Sequence, residues 1–199
     1  MLFFGDSFTA GAGDPTGLGG WVGRAVAAAF RAGLAPTAYN LGVRGQTSVE
    51  IAARWVAEAR PRMAQDAGCG VVFCVGCNDV RELDGKVQVD AERSVATLDG
   101  LLLDAARLRL PAFVVGPAPL GDRGEDERAR ALSAAFAPVA ARRGAPYVAV
   151  LDALLAGRAW TAEAAAGDGT HPGAGGYEEL AQLVLAAGWL EWLGGLGTG

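Results

Sequence analysis

LFFGDSFTAG, residues 2–11, sets a short and wholly apolar run directly before a glycine, a carboxylate and a serine. A run of strand length with no polar alternation is expected to be buried on both faces, as strands of a parallel sheet are. Gly5 permits a tight turn after it, which would leave the Ser7 hydroxyl at the carboxyl edge of that sheet. Apolar runs bounded by glycine, proline or polar residues recur at 37–41, 70–75, 112–115 and 147–151, so five buried strands are predicted. Between them, 21–32, 48–63, 89–108 and 125–143 carry helical spacing, and a last such stretch covers 175–193. Strands alternating with helices predict an α/β chain: a three-layer α/β/α sandwich around a central parallel five-stranded sheet. Ligands gather beyond the carboxyl ends of such strands. The loops opening at Gly5, Gly42, Gly76 and Pro117 are therefore the ones expected to line the functional edge. Residues 157–172 show no clear period and read as a long loop that delivers His171 to that edge.

Composition narrows the classes. With 199 residues, 51% hydrophobic and 20% charged, the chain fits one globular domain, expected over 1–193, followed by a flexible glycine-rich tail at 194–199. A net charge of −5 with scattered arginines argues against a nucleic-acid partner. No apolar run reaches the roughly 20 residues of a bilayer span, and no signal peptide is visible, so no stable membrane insertion and a cytoplasmic location are expected. A chain trimmed of its leader would read the same way. Cys69, Cys74 and Cys77 are an odd, clustered set, poor material for disulfides, and Cys74 and Cys77 lack the second pair that a metal site needs. They read as structural. Trp21, Trp55, Trp189 and Trp192 fall in helical stretches and are expected to pack, not to do chemistry.

A hydroxyl attacks a carbonyl efficiently only when a base takes its proton. His171 is the only histidine, so the assignment of a base is short. A lone histidine is more often a surface or packed residue, and DGTHPG (168–173) is also good turn chemistry. Asp168, three residues before His171, is spaced so that a turn can set its carboxylate against the imidazole and fix the tautomer. Of the four serines, Ser7 alone directly follows a strand. Ser48 reads as a helix N-cap, with Thr47 competing for that role, while Ser94 and Ser133 lie within helical stretches. Ser7, His171 and Asp168 are thus the expected nucleophile, base and orienting acid.

GDSFTAG (5–11), NLGVRGQTS (40–48), VGCNDV (75–80) and DGTHP (168–172) resemble, in order, the four sequence blocks of the GDSL, or SGNH, hydrolases. The resemblance runs from the first strand to the last helix and implies a flavodoxin-like sheet. It further implies an oxyanion hole built from the backbone N–H of Ser7, the backbone N–H of Gly45, with Gly42 as the less favoured candidate, and the side-chain amide of Asn78. Fixed donors of this kind stabilise the charge of a tetrahedral intermediate. Two positions depart from the pattern: Phe8 stands where the family name implies leucine, and Cys77 fills a variable position. Gly45, Gly76 and the Asn78–Asp79 pair would equally suit turns in an inert protein.

The expected activity is hydrolysis of small or short-chain acyl esters or thioesters through an acyl-enzyme on Ser7, with no cofactor and no metal. A deacetylase of acetylated carbohydrates and a lysophospholipase are the alternatives within hydrolases, and acyl transfer to another acceptor differs only in what reaches the acyl-enzyme. From other classes come a nucleotide-binding domain and a catalytically silent binding module. The first fits poorly: GAGDPTGLGG (11–20) has Thr16 where the dinucleotide fingerprint requires its third glycine, and Lys86, the only lysine, lies outside any phosphate loop. Trp160 and the segment 120–127 are expected to border the acyl pocket. Oligomeric state and physiological substrate are not legible.

Overall fold

Phe3 and Phe4 point to opposite faces of strand β1 (Leu2–Gly5), and each meets a tryptophan from a different helical layer. Phe3 packs on Trp21 of α2 (Gly20–Arg31) and on Trp189 of α9 (Trp189–Gly195), with ring centroids 5.8 and 6.1 Å apart. Phe4 packs on Trp55 of α3 (Ser48–Ala59) at 6.0 Å and on Phe73 of β3 (Val71–Cys74) at 6.2 Å. The two-residue period of a strand thus makes β1 the midplane of a three-layer sandwich. The computed structural model describes residues 1–63 and 68–196.

The main sheet has the order β2-β1-β3-β6-β7, all parallel, with β2 at Tyr39–Gly42, β6 at Ala112–Val115 and β7 at Tyr147–Val148. Among its five strands this is the doubly wound sequence in which the chain reverses direction between β1 and β3, the crevice where such folds bind ligands. The register runs Gly42, Gly5, Cys74, Val115, Val148 across the sheet as one row at its carboxyl edge. A short helix α1 (Ser7–Ala10) and the loop starting at Val75 leave that row on the two sides of the crevice. On one face α2 packs with α8 (Ala174–Ala186), joined by α7 (Ala159–Ala166) and α9. On the other, α3 packs on α4 (Ala91–Arg107) and α4 on α5 (Arg123–Arg142), which also meets α6 (Leu151–Ala156).

The five predicted strands are present, with differences that have physical causes. β2 was expected to be buried but is an edge strand, and Tyr39 and Asn40 are exposed; a run of apolar residues does not say whether a strand has one neighbour or two. The last strand stops at Val148 because Leu151 already begins α6. The stretch 157–172 is not all loop: α7 occupies Ala159–Ala166, its small hydrophobic period diluted by alanine. The last helix is two, broken where Gly188 takes a left-handed φ of +84°. A hairpin of β4 (Glu82–Leu83) and β5 (Lys86–Val87), turned by Asp84 and Gly85, precedes α4. The glycine-rich tail begins as helix, since α9 includes Gly194 and Gly195, and 197–199 lie outside the described residues. Thr47, not Ser48, caps α3, in a capping box with Glu50.

Candidate active site

Asp6 is the N-cap of α1: its Oδ1 accepts from Phe8 N at 2.9 Å, and Ser7 is the first helical residue behind it. The turn is tight because Gly5 leaves no room, an added Cβ meeting Thr9 Oγ1 at 2.0 Å and Cys74 O at 2.6 Å. Ser7 Oγ lies 2.8 Å from His171 Nε2, and His171 Nδ1 lies 2.6 Å from Asp168 Oδ2. Asp168 also accepts from the backbone N–H groups of Thr170 and His171 at 3.0 and 2.8 Å. The N–H of His171, then its side chain and the N–H of Thr170, hold the Asp168 carboxyl well below the usual carboxylate range. An ionised carboxylate only accepts, so His171 Nδ1 carries the proton and Nε2 presents its lone pair to the Ser7 hydroxyl. Ser7 is 7% exposed, whereas the Asp168 side chain is 53% exposed.

The two helices that flank the loop holding Asp168 and His171 are tied to each other twice. Glu163 of α7 accepts from Gly175 N and Gly176 N at the start of α8, and Glu179 of α8 accepts from Ala159 N and Trp160 N at the start of α7. Each helix therefore caps the other across the loop. Two glycines from elsewhere press on its sides. A Cβ at Gly121 would meet Gly169 O at 2.1 Å, and one at Gly13 would meet Pro172 O at 2.7 Å and His171 Cβ at 3.1 Å. Beneath the imidazole lies Phe8, 5.5 Å from the His171 ring and 5.2 Å from Trp160.

Asn78 sits just past β3, 6% exposed, and its Nδ2 donates to Asp6 Oδ2 at 3.2 Å and to Gln46 O at 3.0 Å. Through these bonds it joins the loops after β1, β2 and β3. Both of its amide protons are engaged, so donation to an oxyanion requires one of these bonds to yield. Gly45 lies in the exposed loop beside Gln46 at φ +78°, where an added Cβ would meet nothing; its conformation, not lack of space, calls for glycine. Gly42 differs: it continues the β1–β2 ladder, and a Cβ there would meet Ala10 N at 2.3 Å. Arg54 bonds Gln46 Oε1 at 2.6 Å and Leu41 O at 2.8 Å, bracing this loop. Asp79 accepts from Ser48 N and Ser48 Oγ at 2.7 and 2.6 Å, fixing the start of α3.

The sequence reading leaves Asp6 and the two clamping glycines unassigned. An aspartate before a helix start is a legible cap signal, but the bond from Asp6 to Asn78 spans 72 residues and is a product of the fold. Burial, opposed by the Phe8 N–H and helped by the charge of Asp79, pushes the Asp6 carboxyl up to about 7. All three cysteines are free; burial pushes the Cys74 and Cys77 thiols up, and Cys77 Sγ accepts from Ala118 N at 3.2 Å, tying the loop after β3 to the one after β6. Gly121, Arg123, Asp126, Glu127 and Trp160 do line a cavity of about 640 Å³, but neither Ser7 nor His171 lines it. The indole of Trp160 is buried and donates to Pro119 O. In the glycine-rich loop after α1, Asp14 accepts from Gly20 N and pairs with Arg24, so a carboxylate occupies the helix start where a phosphate would have to sit. Among the described residues no helix is long and apolar enough to cross a membrane.

Comparison with known proteins follows the same lines. The GDSL-like Lipase/Acylhydrolase family matches residues 3–179. The acetylxylan esterase Axe2 of Geobacillus stearothermophilus superposes with a TM-score of 0.76 at 23% identity, over 94% of this chain and 92% of that one. LAE5, described as an alpha/beta hydrolase enzyme from the metagenome of Lake Arreo, Spain, superposes at 0.73 and 25% identity, over 94% and 93%. No curated protein matches the chain.

Proposed function

Since the chain belongs to the GDSL-like lipase/acylhydrolase family and is a carboxylic ester hydrolase, we propose that it cleaves short-chain acyl esters or thioesters through an acyl-enzyme on Ser7. The observation that carries this reading is the unbroken line of hydrogen bonds from Ser7 Oγ through His171 to Asp168. Ser7 Oγ attacks the acyl carbon while His171 Nε2 takes its proton, and Asp168 stabilises the resulting imidazolium. The negative oxygen of the tetrahedral intermediate is received by the N–H groups of Ser7 and Gly45 and by the amide of Asn78. Collapse breaks the bond to the alcohol or thiol, which leaves with the proton held by His171. Water then gives a proton to His171 and attacks the acyl-enzyme, releasing the carboxylic acid and restoring Ser7. No step calls on a metal or an organic cofactor.

A second reading, removal of acetyl groups from carbohydrate, is favoured by the likeness to acetylxylan esterase over nearly the whole of both chains. The test is turnover of p-nitrophenyl esters from acetate to palmitate, with a thioester, a lysophospholipid and an acetylated xylo-oligosaccharide alongside and Ser7→Ala as control. Turnover that falls with acyl length and is abolished by Ser7→Ala supports the reading. Turnover that survives Ser7→Ala, or a preference for palmitate, overturns it.

A further inference from the structure

We infer that Asp6 is a positioning residue for the reaction, a single buried carboxyl that aims the Asn78 amide while it caps the helix beginning with Ser7. This rests on the acyl-enzyme reading above. Asp6 is 1% exposed, and its two oxygens face different parts of the site: Oδ1 receives Phe8 N at 2.9 Å and Oδ2 receives Asn78 Nδ2 at 3.2 Å. A cap needs only the first of these bonds. The second reaches across the crevice between β1 and β3 and fixes one proton of the amide expected to receive the oxyanion. With the other proton on Gln46 O, Asn78 turns toward a substrate only as far as Asp6 releases it.

The grip depends on the proton that Asp6 itself carries. Ionised, Oδ2 is a strong acceptor and holds the amide; protonated, the carboxyl binds it weakly and frees an N–H for an oxyanion. A second negative charge so close to a forming oxyanion would also oppose it, so the neutral carboxyl suits the intermediate. The groups around Asp6 reinforce this: Asp79 raises its pKa along with burial, and the Cys74 and Cys77 thiols and the Tyr177 phenol of α8 lie within its field.

The chain contains two asparagines, Asn40 and Asn78, so ¹⁵N-asparagine labelling gives two side-chain amide signals. Asn40, bonded to Thr9 O and Gly42 N, is the internal reference, and Asn78→Ala assigns the other. In the wild type the Asn78 amide should move with one midpoint near pH 7. That movement should persist in His171→Ala and vanish in Asp6→Asn, which keeps the bond to Phe8 N but sets one amide donor against another. An Asn78 signal that does not titrate, or loses its titration with His171 instead of Asp6, overturns the inference whether or not any ester is turned over. In turnover, Asp6→Asn should lower kcat roughly 10- to 100-fold with KM little changed, yet cost less than about threefold in an Asn78→Ala background. Equal losses in both backgrounds would leave Asp6 a cap alone. Absence of wild-type turnover would instead sink the acyl-enzyme reading, and the amide titration would still decide the link.

Discussion

Asp168 is a carboxylate with two backbone N–H partners and a ring N–H, yet its side chain is half-exposed. Asp168→Asn would offer an amide donor to Nδ1 and favour the tautomer that turns a proton toward Ser7. In a buried triad that change costs on the order of 10⁴ in kcat. Water can compete at this exposed carboxylate, and the expected loss is smaller, roughly 10²- to 10³-fold, read as kcat on p-nitrophenyl acetate; a loss under about fivefold would remove Asp168 from the mechanism. Asp6 behaves oppositely with pH. The unfolded chain loses this proton near pH 4 and the folded one near 7, so between those values the native state binds the extra proton and stability falls as pH rises, levelling off above 7. Asp6→Asn removes that slope. Its melting temperature should gain on the wild type by a few degrees between pH 5 and pH 8, and parallel curves would show that Asp6 is not the group responsible. Phe8, in contact with both His171 and Trp160, shows how a departure from the family leucine is absorbed: a larger ring under the imidazole, backed by an indole.

Gly121 and Gly169 share a φ of +87°, but only Gly121 faces an obstacle, the carbonyl oxygen of Gly169 itself. Alanine at either position carries the same backbone strain, so the difference between them isolates the push on the loop that holds His171. Gly121→Ala should reduce kcat at least about tenfold more than Gly169→Ala, since sub-ångström to ångström misplacement of a reacting group costs up to about 10²; similar losses in the two variants would mean that the loop yields freely. The expected strands and the DGTHPG turn were legible because short apolar runs and an Asp three residues before a His carry their own local signal. What surrounds the turn was not. The reciprocal caps of Glu163 and Glu179 depend on how α7 and α8 pack on each other, and the glycines at 13 and 121 reach the turn from loops far away in sequence. The exposure of Tyr39 and Asn40 likewise depends on which strand lies at the edge, and α7 hides its period among alanines. Gly45 and Asn78 were reached by resemblance, and their separation of 33 positions is closed by the bond from Asn78 to Gln46 O and by those from Ser48 to Asp79, which only the fold supplies.

At the scale of the molecule, β1 divides the apolar interior into two halves, Phe3 with Trp21 and Trp189 on one side, Phe73 with Phe4 and Trp55 on the other. Phe3→Ala and Phe73→Ala share no aromatic partner and should each cost about 3–5 kcal/mol. Their effects should add within about 0.5 kcal/mol in urea melts, bringing the double variant close to the whole stability of an ordinary domain; a clear shortfall would show that the two halves relax together across the sheet. The hydrogen bond between Ser7 and His171 closes a span of 164 residues. On a ribosome adding about 5–20 residues per second, the serine is made roughly 10–30 s before the histidine. Through that interval the growing polypeptide carries the hydroxyl without the imidazole proposed as its base, as would any product released early. On the proposed mechanism the capacity to cut esters therefore waits for the segment that carries His171, and a copy that stops short of it is inert.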